Sequence, residues 1–149
     1  MQRRAFLASG AVAAAASLAG CIGPSLSKSA YDVGMQSNAF VPDPDVSGTD
    51  VPTFEASVGD TVVWANSGSR NHTVTAYDDG VPEGADYFAS GGFEDEQAAR
   101  EAWEKSLGDG GILAPGETYE HTFEVAGDYY YFCVPHEDAG MLGKVVVTE

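Results

Sequence analysis

From Thr118 to Val125 the chain reads TYEHTFEV, and Tyr119, His121, Phe123 and Val125 alternate with Thr118, Glu120, Thr122 and Glu124. A repeat of two places the two sets on opposite faces of an extended strand. Ala126-Gly127-Asp128 then marks a tight turn into Tyr129–Cys133, and Lys144–Thr148 (KVVVT) follows as another short apolar run. Earlier segments carry the same signals. Tyr31–Met35 reads as a strand. Thr53–Val58 and Thr61–Asn66 (TVVWAN), joined by Gly59-Asp60, read as a hairpin. In His72–Tyr77 (HTVTAY), His72, Val74 and Ala76 share one face, and Thr73, Thr75 and Tyr77 the other. Short strands separated by turns must bury their inner faces against one another. With 149 residues there is room for one such core. The expected fold is all-β, a Greek-key β-sandwich.

One stretch breaks the pattern. Asp78–Gly111 begins as a Gly-rich loop and continues as EDEQAAREAWEKSLG, with acids at its start, Lys105 near its end and Gly108 placed as a C-cap. That predicts a short helical insertion ahead of the late strands, with Phe93, Ala98, Ala102, Trp103 and Leu107 as its apolar face. The Pro/Asp/Gly-rich run VPDPDVSGTDVP predicts a loop, and Trp64 is expected in the core.

The first thirty residues are of another kind. Arg3-Arg4 precede an Ala-rich apolar stretch too short and too small-residued for a stable span, which reads as an export leader over residues 1–20. Arg3-Arg4-Ala5-Phe6-Leu7 resembles a twin-arginine motif, and Leu18-Ala19-Gly20-Cys21 resembles a lipobox. Cys21 is then the expected lipid attachment point, and two acyl chains suffice for stable anchoring. Residues 21–30 form a polar tether.

Charge excludes one class of partner. Twenty-three Asp and Glu against 7 Lys and Arg give a net charge of −16 with no basic stripe, so nucleic-acid binding is not expected. The acids are spread between apolar strands, as on a heavily hydrated surface adapted to high salt.

Only two cysteines occur. With Cys21 lipidated, Cys133 has no disulfide partner, and a lone thiol in an exported protein must be buried or occupied. It sits in FCVPHEDAGMLG, Phe132–Gly143, with His136 and Met141 close behind. His72, in a strand far away in sequence, can complete a set of four, because distant strands become neighbours in a sandwich. Two imidazoles, one thiolate and a thioether describe a blue-copper site, whereas zinc prefers four strong ligands and calcium wants oxygens. Pro135, Gly140 and Gly143 suit a tight loop around the metal. Glu137 and Asp138 read as surface charge, and His121, on an apolar face, as structural.

Cys133-x2-His136-x4-Met141 with an upstream His72 resembles the type 1 copper proteins of the cupredoxin family, such as plastocyanins, amicyanins and halocyanins. VPTFEASVGDTVVWANSGSRNHTV (Val51–Val74) resembles the family's strand, Gly-Asp turn, Val/Trp strand and first histidine. The acidic bias, leader and lipobox are most similar to halocyanins. The resemblance implies a cupredoxin domain over residues 31–149, with one copper ion per chain. It implies His72, Cys133 and His136 as strong ligands and Met141 as the weak axial one. It also implies a neighbouring group beside the Cys133 sulfur, for which Asn71 and Thr73 both stand in place, and electron exchange through His136 among Val134, Pro135 and Leu142. The function so implied is a non-catalytic one-electron carrier, a monomer anchored at the outer face of the cytoplasmic membrane and serving redox proteins of a respiratory chain. Copper storage or delivery is the alternative reading.

Overall fold

Trp64 sits at the centre of the protein with no exposed surface, ringed by Phe88, Tyr119, Phe123 and Tyr131 at centroid distances of 5.4 to 6.3 Å. The two layers that enclose it come from a computed structural model describing residues 27–48, 51–106 and 110–149. The leader, Cys21, Leu107 and Gly108 lie outside the described residues.

Among the described residues, eight strands form two four-stranded sheets. The first has the order β2 (Ala39–Pro42), β1 (Val33–Gln36), β4 (Thr61–Asn66), β6 (Thr118–Thr122). The second has the order β3 (Thr53–Ser57), β8 (Leu142–Thr148), β7 (Gly127–Phe132), β5 (Thr75–Ala76). The chain changes sheet at every connection from β2 to β7. The alternation read from the sequence holds on β8, where Gly143, Val145 and Val147 are buried between half-buried neighbours. Val62 and Trp64 from one sheet meet Val145, Tyr129 and Tyr131 from the other in a single core.

The expected hairpin of Thr53–Val58 and Thr61–Asn66 does not form. β3 pairs in parallel with β8, and β4 pairs with β1 and β6. The turn between them is stitched outward instead. Gly59 N–H donates to Phe123 O, and Phe123 N–H donates to Asp60 O. Gly59 takes φ +91°, a conformation that favours glycine. The run expected as loop begins with β2, an edge strand on which Pro42 is tolerated because no further strand needs its missing N–H. Part of the tether, Lys28–Ala30, is a 3-10 turn.

The insertion contains one helix, α1 (Glu96–Glu104), capped by Asp95, whose carboxylate accepts from Ala98 N–H at 2.7 Å. It ends before Gly108, with Lys105 as C-cap and Ser106 at φ +52°. Its buried residues are Ala99 and Ala102, while Phe93, Ala98 and Trp103 are only half buried. The following segment packs close to the helix backbone, where a side chain at Gly110 would meet Ala102 O and Trp103 Cα at 3.3 Å. The insertion also reaches into the sandwich. Phe88 is 2% exposed, and Ala76 N–H donates to Phe88 O while Ser90 N–H donates to Val74 O. Among the described residues no helix is long and apolar enough to cross a membrane.

Candidate metal centre

Cys133 follows directly on β7, and its chain continues into a 3-10 segment, Val134–Ala139, with Pro135 in its first turn. Gly140 terminates that segment at φ +86°. The chain then returns so that Cys133 N–H donates to Met141 O and Met141 N–H donates to His136 O, both at 3.2 Å. These bonds close a small ring of main chain with Cys133, His136 and Met141 on its rim. Gly143 does a different job from the one expected: a side chain there would collide with the Tyr131 ring, so this glycine makes room in the core.

His72 arrives from the other direction. It forms an isolated bridge with Leu113, donating to Leu113 O at 3.1 Å and accepting from Leu113 N–H at 2.7 Å. Asn66, buried at the end of β4, pins this bridge. Its side-chain amide donates to Leu113 O at 2.8 Å and to Arg70 O at 2.5 Å. Both faces of His72–Ala76 are buried, although only Thr75–Ala76 is regular strand.

The result is one cluster. His72, Cys133 and His136 present ligand atoms all within 4.8 Å of one another. Cys133 Sγ lies 3.7 Å from His72 Nδ1 and 3.3 Å from His136 Nδ1. Cys133, His72 and Met141 have no exposed surface, and His136 is half buried. Thr73, not Asn71, supports the sulfur. Thr73 N–H donates to Sγ at 3.4 Å, while Asn71 is exposed. His121 stands apart, stacked on Phe88 at 4.8 Å.

Burial controls the protonation of the set. It pulls His72 down to about 4, with His136 and Arg70 adding repulsion, and it also lowers His136. It pushes the Cys133 thiol up to about 11 against the pull of the Thr73 N–H. Both imidazoles are therefore neutral and ready to ligate near neutral pH, while the thiol must lose a proton first.

Glu137 is not free surface charge. Its carboxylate accepts both terminal nitrogens of Arg100, at 2.8 and 2.9 Å, and the Tyr77 hydroxyl at 2.6 Å. Arg100 holds its carboxyl below the usual carboxylate range. Nothing local in the sequence marks the contacts that Asn66, Tyr77, Arg100 and Glu137 make. Each acts on a partner brought near by the fold.

A buried thiol, two imidazoles and a methionine, gathered at one end of a two-sheet sandwich, define a type 1 copper site of the cupredoxin kind: soft sulfur and imidazole donors suit copper. Residues 49–148 match the model of the copper-binding proteins of the plastocyanin/azurin family, and the chain belongs to that family. It is 34% identical over 111 residues to the plastocyanin of Vicia faba, covering 74% of this chain and 88% of that one. It is 36% identical over 95 residues to the chloroplastic plastocyanin of Tetradesmus obliquus, covering 64% of this chain and 54% of that protein's length. The fold is similar to that of an oxidised point mutant of amicyanin, with a TM-score of 0.51, 24% identity and coverage of 82% and 85% of the two chains.

Proposed function

We propose that this protein is a one-electron carrier, tethered by a lipid on Cys21 at the outer face of the cytoplasmic membrane. Copper held by His72, Cys133, His136 and Met141 supplies the Cu(I)/Cu(II) couple. The observation that carries this reading is the convergence of three ligand atoms within 4.8 Å in a largely buried site. The chain's own part is to hold those donors still. The ring of main-chain bonds from Cys133 to Met141 fixes one side, and the Asn66–Leu113–His72 ladder fixes the other. A site held from both sides changes shape little between oxidation states, which favours fast exchange over substrate chemistry.

Electrons are read as passing through His136, which reaches the surface among Val134, Pro135 and Leu142, all half buried. An apolar patch of this kind suits brief docking to redox proteins of a membrane respiratory chain, with the carrier acting as a monomer. The acidic surface fits a salt-rich exterior, and the Arg3-Arg4 leader and the Cys21 lipobox support export and anchoring.

The test is spectroscopic. Cu(II) added to the purified protein should give the intense visible absorption of copper–thiolate charge transfer, and Cys133→Ser should remove it. A protein that stays colourless and binds zinc equally well would sink the electron-carrier reading. For the anchor, Cys21→Ser should move the protein from the membrane to the soluble fraction, and an unchanged distribution would rule the lipid out.

A further inference from the structure

The helical insertion reaches the copper loop through the side chain of Arg100. This residue projects from α1 and uses three of its nitrogens. Nη1 and Nη2 grip the Glu137 carboxylate, and Nε donates to Glu96 Oε2 at 2.9 Å. Glu96 is itself fixed: its N–H donates to Asp78 Oδ1 and its Oε1 accepts from Asp78 N–H, both at 3.0 Å. The guanidinium lies 4.2 Å above the Phe132 ring, and Phe132 stacks on Tyr77 at 4.4 Å. Tyr77 closes the circuit by donating to Glu137.

Both flanks of the loop are thereby held. Phe132 immediately precedes Cys133, and Glu137 immediately follows His136. Glu137 O also accepts the Gly140 N–H that ends the 3-10 segment, so a shift at Glu137 disturbs the ring that closes on Met141. Exposed ion pairs are usually weak. This one is bidentate, tied to a second carboxylate and a phenol, and only 32% and 26% exposed on its two partners, which is where such pairs gain strength and direction.

We propose that Arg100 is a positioning residue for the copper site. Through Glu137 it holds the Val134–Ala139 segment, and with it His136, in the ligating pose before and after copper arrives. The insertion is then a brace for the loop. This rests on the reading of His136 as a ligand.

The experiment compares the full-length protein with Arg100→Gln, Glu137→Gln, Arg100→Lys and, as a control at the end of the same helix, Lys105→Gln. Lys105 pairs with Glu101 at 3.4 Å, away from the loop. In the copper-free proteins, amide hydrogen exchange over residues 133–141 should speed up roughly tenfold in Arg100→Gln and in Glu137→Gln, the scale of a lost charged hydrogen bond. Exchange over residues 142–148 should not change. Arg100→Lys, which keeps the charge without the fork, should recover part of the protection, and Lys105→Gln should match the parent. In the copper-loaded proteins the same two glutamine variants should release copper to a chelator about tenfold faster. Should Arg100→Gln loosen the whole sheet, Glu137→Gln decides, because it leaves the helix and the Glu96 pairing in place. Unchanged exchange over 133–141 in Glu137→Gln, or an increase spread equally over β7 and β8, overturns the proposal. A parent protein that never turns blue would instead count against the ligand set, and the copper-free measurement keeps the two failures apart.

Discussion

Thr73 holds Cys133 and its neighbour from one position. Its N–H donates to Cys133 Sγ at 3.4 Å, and its Oγ1 accepts the N–H of Val134 at 2.9 Å. Thr73 is 1% exposed and directly follows His72, so one residue couples the upstream ligand strand to the loop that carries the other ligands. Substituting Thr73→Val keeps the shape and the N–H but removes the acceptor of the Val134 N–H and the partner of the Thr75 hydroxyl, 3.1 Å from Thr73 Oγ1. The copper-free protein should lose about 1–3 kcal/mol in chemical denaturation, and the visible band should survive. Equal stability would mean that Val134 and Thr75 both find other partners.

Copper uptake should release one proton per chain near pH 7. The imidazoles are already neutral, His72 pulled down to about 4 and His136 lowered too, whereas the Cys133 thiol, pushed up to about 11, still carries its proton. Affinity should therefore rise about tenfold per pH unit between neutrality and mild alkali. Titration calorimetry in buffers of different ionisation heat reads the proton directly. A release near zero would show that the thiolate forms before copper binds.

The copper-free protein should lose stability in mild acid. His72 has a folded value about 4 against an ordinary value of 6.5, so below 6.5 the unfolded chain takes up a proton that the folded one refuses. Its contribution is complete above pH 6.5 and falls away as the pH drops towards 4. Denaturation midpoints should show this slope, and His72→Gln should make it shallower, leaving the part due to His121 and His136, which burial also lowers. An identical slope in the variant would assign it to those two histidines or to the carboxylates.

Leu142→Glu should slow electron exchange with a redox partner several-fold and leave the absorption spectrum intact. Leu142 is half buried beside the loop, so a charge there alters docking and not the ligand set. Stopped-flow mixing with a reduced partner measures it, and an unchanged rate would move the docking patch elsewhere.

Gly143→Ala should destabilise the protein by about 1–3 kcal/mol, because the added carbon overlaps the Tyr131 ring within a filled core. Tyr131→Leu, costly alone, should remove most of the additional penalty in the double variant. Additive losses in denaturant would show that the ring is not what Gly143 accommodates.

The ligands were legible because Cys and His are scarce here and three donors crowd one loop. The layers were legible because alternation survives on β6 and β8. What stayed hidden depends on partners far along the chain. Gly59-Asp60 announces a turn, but nothing near it says that β3 will meet β8 while β4 meets β6. Phe88 lies in a loop-like run, and only the tertiary fold shows it stacked on Trp64 at 5.9 Å. Glu137 looks like any surface acid until Arg100, 37 residues away, is folded over it.

Among the described residues β8 follows the other seven strands along the chain, yet it stands inside its sheet, between β3 and β7. A nascent chain that has left the ribosome only as far as β7 exposes two unpaired strand edges and cannot close its second layer. Folding must wait for β8, and the return to Met141 waits with it. Copper capture thus depends on the chain having reached Met141 and β8, and truncated products that stop short of β8 should be aggregation-prone as well as colourless.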